Sequence, residues 1–140
     1  MPILKRYKWI LFIAVIALVG YLLLKQYQAD LNHELRTEVM QAESSGAVYG
    51  LQHDQTDCLT QSLRNIKGCS AFRCGVVHGR FFRACLEQAQ PSENFCHDVP
   101  AYTEKQNRDT KDWLRDVCFE HPETNICYQL MRQRQQLCGS

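Results

Sequence analysis

Charged residues stop at Lys8 and do not return until Lys25, leaving sixteen uncharged, mostly apolar residues from Trp9 to Leu24. At 1.5 Å per residue such a run makes a helix of about 24 Å, and Tyr7 and Tyr27 extend it as interfacial anchors, so it predicts one transmembrane helix. Beyond Lys25 the pattern changes but stays helical. Tyr27, Leu31, Leu35 and Val39 recur every fourth residue, with Asp30, Glu34, Arg36 and Glu38 between them. This predicts a helical stalk whose apolar stripe is an interface, with its own domain, another membrane protein or a second copy. Glu43-Ser44-Ser45-Gly46 reads as a linker that ends the stalk.

Four further helical segments follow, and no strand alternation. The first is predicted from an N-cap at Asp57 through Leu59, Leu63 and Ile66 to Gly68. A second spans Cys74 to Gln90 with Val77, Phe81, Cys85 and Ala89 on its inner face, weakened by Gly75 and Gly79 and stopped by Pro91. The third runs from a Thr103/Gln106 capping box to Phe119, with Trp113, Leu114, Val117 and Cys118 inward. The last covers Thr124 to Leu137, burying Ile126, Cys127, Leu130 and Met131. The expected fold is all-α: a basic tail (1–8), an anchor helix (9–24), a stalk and linker (25–46), and a cysteine-rich bundle of two helical hairpins (47–140).

All eight cysteines of the 140-residue chain lie between Cys58 and Cys138, and the even number suits a disulfide framework in an oxidising compartment. Four of the spacings (58–69, 74–85, 85–96 and 127–138) are eleven residues. Eleven helical steps return to the same face about 16 Å further along. A disulfide needs Cα atoms within about 7 Å, so each cysteine bonds a neighbouring helix instead. Antiparallel hairpins then pair Cys58 with Cys85, Cys69 with Cys74, Cys118 with Cys127 and Cys96 with Cys138, with an exchange of Cys85 and Cys96, both near the junction of the hairpins, as the open alternative. Cysteine pairs that clamp both ends of a helical hairpin resemble, in arrangement, the coiled-coil-helix domains of the mitochondrial intermembrane space. Those place nine residues between cysteines where this chain has ten. The resemblance implies a scaffold or assembly role.

The run is read as a retained anchor rather than a cleaved signal. Leu22-Leu23-Leu24-Lys25-Gln26-Tyr27 offers no small residues for a signal peptidase, and no cysteine follows to accept a lipid. Lys5, Arg6 and Lys8 before the run, against Lys25 behind it, place the N-terminus in the cytoplasm and residues 47–140 in the periplasm or an equivalent lumen.

Net charge is only +1, but it is unevenly spread. Arg64, Lys67, Arg73, Arg80 and Arg83 occur without an acid among them, while Glu87 to Glu123 holds nine acids against four bases. Arg73, Arg80 and Arg83, with Phe72 and Phe82, are the candidate partner-binding surface. The alternative is a solvated face neutralised by Asp109, Asp112 and Asp116. Five basic residues without a clustered aromatic platform do not suit a nucleic acid, and none is expected as partner.

Catalytic chemistry is thinly represented. There is no Cys-x-x-Cys for thiol exchange and no Cys-x-x-Cys-His for haem. Zinc spacing is approached only by Cys69/Cys74. His33, His53, His78, His97 and His121 are scattered, and the neighbours His97 and Asp98 would point in different directions on a helix or strand. No catalytic residue, metal or cofactor is therefore expected. Adjacent Cys-Cys and Cys-x-Cys pairs of plant lipid-transfer type are also missing. The expected function is a non-catalytic, membrane-anchored accessory or assembly factor bound to the bilayer through residues 9–24 and to a protein partner. A periplasmic inhibitor or immunity-type protein is the alternative, and a small envelope enzyme the third reading. Oligomeric state is not readable.

Overall fold

The computed structural model describes residues 2–139, with side chains from Tyr7 onward. Among these residues it contains five helices and no strand: α1 (Pro2–Gly50), α2 (Gln55–Asn65), α3 (Phe72–Gln88), α4 (Arg108–Val117) and α5 (Thr124–Cys138). The chain divides into two units, residues 1–37 and 38–140.

From Pro2 onward the first unit is helical. It carries an 18-residue window of mean hydropathy 2.2 and is long and apolar enough to cross a membrane. Its large apolar side chains, Trp9 to Leu24, are exposed, as lipid-facing side chains are. Of the expected stalk stripe, Tyr27 and Leu31 are exposed and Leu35 and Val39 half-buried.

In the second unit the helix does not break where a linker was expected. Glu43-Ser44-Ser45-Gly46 is helical, and α1 continues to Gly50. The reason is packing. Ala42 is buried, and a Cβ on Gly46 or Gly50 would run into the backbone carbonyls of Phe81 and Cys85. Small residues four apart thus let α1 lie almost backbone to backbone on α3, and this contact overrides the weak helix propensity of Ser and Gly.

α2 begins earlier than expected. Asp54 is the N-cap, and its Oδ1 accepts the Asp57 amide at 2.9 Å; Asp57 is a first-turn acid that complements the helix dipole. The helix ends before Gly68, which has φ +82°, a conformation open to glycine. α3 starts at Phe72 and stops at Gln88. Its Gly75 and Gly79 seat α5: a Cβ at Gly75 would lie 3.4 Å from Ile126 Cγ1, and one at Gly79 3.1 Å from Gln133 Nε2.

α4 is shorter than expected. Asn107 caps it by accepting the Thr110 amide at 2.8 Å, while the Thr103 hydroxyl donates to Lys105 O instead of forming a capping box. Val117 is exposed rather than inward. The connection ahead of α4 is held by buried Gln135 of α5, whose amide donates to Pro100 O (3.0 Å), Ala101 O (3.1 Å) and Thr110 Oγ1 (3.1 Å).

The core gathers Ile66 at the C-cap of α2, Phe82 of α3, Phe95 of the long connection, Leu114 of α4, and Ile126, Leu130 and Met131 of α5. Four disulfides enclose it: Cys58–Cys85, Cys69–Cys74, Cys96–Cys138 and Cys118–Cys127. Cys58–Cys85 and Cys69–Cys74 clamp the α2–α3 hairpin as expected. In the second half Cys118–Cys127 spans the corner between α4 and α5, while Cys96–Cys138 ties the long connection to the end of α5, which packs on α3 and α2.

Three carboxylates are tied into this frame by hydrogen bonds to their charged form. The Asp57 amide holds Asp54, the Gly68 amide holds Glu123 and the Arg73 side chain holds Glu38, each below the usual carboxylate range. A carboxylate whose pKa falls on folding stabilises the fold fully above its unfolded pKa, and that contribution disappears as pH falls through the folded value. Melting temperature is therefore expected to stay level down to about pH 5 and to drop below about pH 4. Circular dichroism melts across that range check this; a level profile to pH 2 would show that the three hydrogen bonds add nothing.

Candidate functional site

The candidate surface lies on α3, and the structure divides its five expected residues. Phe82 is not on it: the ring is 0% exposed and belongs to the core. α3 is covered on two sides, by α1 at Phe81 and by α2 and α5 at Phe82, so adjacent residues are both buried. Phe72, by contrast, is 78% exposed at the first position of the helix.

The three arginines are surface residues with acidic neighbours, but not those of α4. Arg73 Nε donates to Glu38 Oε2 at 2.9 Å, Arg80 pairs with Glu43 at 3.4 Å and Arg83 with Glu87 at 3.1 Å. Asp112 of α4 pairs with Arg108 and Arg115 of its own helix. Exposed pairs of this kind contribute roughly 0–1 kcal/mol each, so a partner's carboxylates can replace them at little cost.

Beside Arg80 and Arg83 runs a groove between α3 and α5 with a volume of about 700 Å³, within the range of about 300–1,000 Å³ that suits a bound ligand. Gly75 and Gly79 line it on the α3 side, and Gln129, Gln133 and Gln136 on the α5 side. Val76, Leu86 and Leu137 add apolar surface. Its ionisable side chains are Arg80, Arg83 and Glu87, the carboxylate of Glu87 being paired with Arg83, and the described lining holds no serine, threonine, cysteine, lysine or histidine. The chemistry available there is binding: amide hydrogen bonds, two guanidinium groups and apolar contact. The five α3 residues singled out from sequence contain only two of this groove. Its glycines looked like weak points in a helix, and only the packing of α5 shows them as a lining.

The histidines do not converge on a site. His53 stacks on Tyr49 with ring centroids 3.7 Å apart, and its Nδ1 lies 2.8 Å from Tyr49 O. His97 and Asp98 do meet, at 2.7 Å, contrary to the expectation for adjacent residues, because Asp98 adopts φ 57° in a turn. Both are well exposed, outside any cleft described above. His78 is half-buried, and desolvation lowers its pKa from the usual imidazole value. Its ring lies beside the Cys69–Cys74 bond, the three side chains offering ligand atoms within 4.8 Å of one another.

The described residues define an architectural class, a disulfide-clamped, all-helical unit that follows an apolar N-terminal helix in the chain. No family model matches the chain, and neither a curated relative nor a solved structure matches it.

Proposed function

We propose that the protein is a non-catalytic interaction module, anchored in the inner membrane through residues 9–24 with its N-terminus in the cytoplasm and its disulfide-clamped unit in the periplasm. Its role is that of an accessory or assembly factor for a larger envelope complex. The observation that carries this reading is the α3–α5 groove, which is large enough to hold a peptide segment and is equipped for recognition rather than reaction. The partner it fits is an amphipathic protein segment that sets acidic side chains against Arg80 and Arg83 and apolar ones against Val76, Leu86 and Leu137. The disulfides support the compartment, because such frameworks persist outside the cytosol. The bias of Lys5, Arg6 and Lys8 over Lys25 supports the orientation. A scaffold held by four covalent clamps loses little conformational freedom on binding.

Affinity capture from detergent-solubilised membranes tests this. Arg80→Ala with Arg83→Ala is expected to lower recovery of the specific partner about tenfold, equivalent to about 1.4 kcal/mol, with little change in folding stability because both pairs are exposed. Undiminished recovery would refute the groove as the docking site. A second reading, a periplasmic inhibitor of a toxin or hydrolase, draws on one further observation. Residues 38–140 form a unit of their own and include all four disulfides. Under that reading a soluble 38–140 fragment binds and inhibits the target without the anchor.

A further inference from the structure

We infer that Cys69, Cys74 and His78 form a second site, one that binds a thiophilic d10 cation such as Zn²⁺ when the Cys69–Cys74 bond is reduced. This is independent of the groove and of the function proposed for it.

Three observations carry the inference. The two sulfurs and the imidazole present ligand atoms within 4.8 Å of one another. Cys74 and His78 are one helical turn apart on α3, so they project from the same face, and the α2–α3 turn brings Cys69 to them. His78 makes no hydrogen bond among those found for the described residues, so its ring nitrogens are uncommitted. Two thiolates and an imidazole are the donor set that zinc favours, with Zn–S about 2.3 Å and Zn–N about 2.0–2.1 Å. Those lengths set the sulfurs about 3.8 Å apart around a tetrahedral ion, a small separation from their bonded position. The fourth position is left to water.

The turn does not depend on the sulfur bond alone. The Gly68 amide donates to Glu123 Oε1 at 2.5 Å, the Cys69 amide to Ile66 O at 2.9 Å and the Cys74 amide to Ala71 O at 3.1 Å. These tethers hold the ligands together after the covalent bond has opened. Accessibility divides the four bonds into two classes. Cys69–Cys74, with both cysteines half-buried, and Cys96–Cys138, with Cys96 exposed and Cys138 half-buried, are open to a small thiol, whereas Cys58, Cys85, Cys118 and Cys127 are buried to within 1% of full enclosure. Of the two open bonds, only Cys69–Cys74 has a histidine beside it that completes a donor set among the described residues.

The chemistry balances with a small thiol as reductant. Its thiolate attacks one sulfur and breaks the Sγ–Sγ bond, and a second thiol resolves the mixed disulfide. Two electrons and two protons pass to Cys69 and Cys74, and the external thiol pair leaves as its disulfide. Zn²⁺ then displaces the two thiol protons to solvent and forms two Zn–S bonds and one Zn–N bond with neutral His78.

The test uses the full chain in detergent micelles. Graded dithiothreitol followed by thiol trapping and mass spectrometry identifies which bonds open. Zn²⁺ uptake is then measured without air by competition with a chromophoric chelator, and Co²⁺ provides a thiolate charge-transfer band. The expected results are opening of Cys69–Cys74 before Cys58–Cys85 and Cys118–Cys127, one equivalent of Zn²⁺ in the reduced protein, and none in the oxidised protein. His78→Gln, which leaves every disulfide in place and is checked for folding in the oxidised form, should weaken binding at least tenfold. Cys69→Ser with Cys74→Ser should abolish it. Prior opening of a buried bond, no stoichiometric uptake, or affinity unchanged by His78→Gln would each overturn the inference.

Discussion

Replacing Cys58 and Cys85 together by alanine is expected to cost about 3–4 kcal/mol of folding stability. In the chain-entropy description, a bond closing a loop of this length restrains the unfolded chain by about 3.6 kcal/mol; the two cysteines are 27 positions apart. Both sulfurs are fully buried in the main core, so their removal also loses packing contacts. The Cys69–Cys74 bond closes a loop of only 5 positions, for which the same relation gives about 2.2 kcal/mol. Urea unfolding followed by circular dichroism should therefore rank the Cys58/Cys85 double variant well below the Cys69/Cys74 double variant. Against a typical total of 5–15 kcal/mol, the first loss is between about a quarter and three quarters of the stability of the fold. Equal effects would mean that the far end of the α2–α3 hairpin is held by something other than its covalent clamp.

That pairing was legible because cysteine spacing and helix geometry constrain each other. An eleven-residue interval is meaningful only if the stretch is helical, and a helix forbids the bond within itself. Once Ser70 to Arg73 is taken as a turn, Cys58 and Cys85 must meet. The apolar N-terminal helix was legible for the same local reason, as an uninterrupted uncharged run makes a helix long and apolar enough to cross a membrane. What could not be read depended on distant packing. Ser44, Ser45 and Gly46 look like a linker because their propensity is poor, yet their smallness is what brings α1 onto α3. Phe82 looked like a surface aromatic because a one-faced helix was assumed, whereas α3 is packed on two faces.

The same division runs through the candidate sites. Glu87 is four residues from Arg83, so that ion pair was readable on the helix surface. Glu38 and Glu43 lie 35 and 37 positions from the arginines they meet, and only the path of α1 explains them. Cys74 and His78 stand at helical spacing, but their junction with Cys69 needs the hairpin. The α3–α5 groove had no local signature, because its lining is drawn from two helices separated by the whole of α4.

Substituting Gly46 and Gly50 by alanine discriminates between these views of α1 by the sign of the effect. In a flexible linker, the change would be nearly neutral. In an unpacked helix, each alanine would stabilise by about 1 kcal/mol through helix propensity. Here each new methyl group meets a backbone carbonyl of α3, Phe81 O for Gly46 and Cys85 O for Gly50, and a backbone cannot swing aside as a side chain would. Overpacking of that kind costs about 1–3 kcal/mol per site. Clashes with backbone fall at the upper end of that range, so the pair is expected to destabilise by about 4 kcal/mol after a propensity gain of about 2 kcal/mol is deducted. Separation of α1 from α3 would also open the Arg73–Glu38 and Arg80–Glu43 pairs, so proteolysis within residues 38–50 should accelerate. Gly20 provides the control, since nothing lies within 4 Å of a Cβ built there. Urea unfolding of the three variants in micelles gives the answer: stabilisation by the Gly46/Gly50 pair would mean that α1 does not rest on α3, while loss confined to that pair and absent from Gly20→Ala establishes the seam.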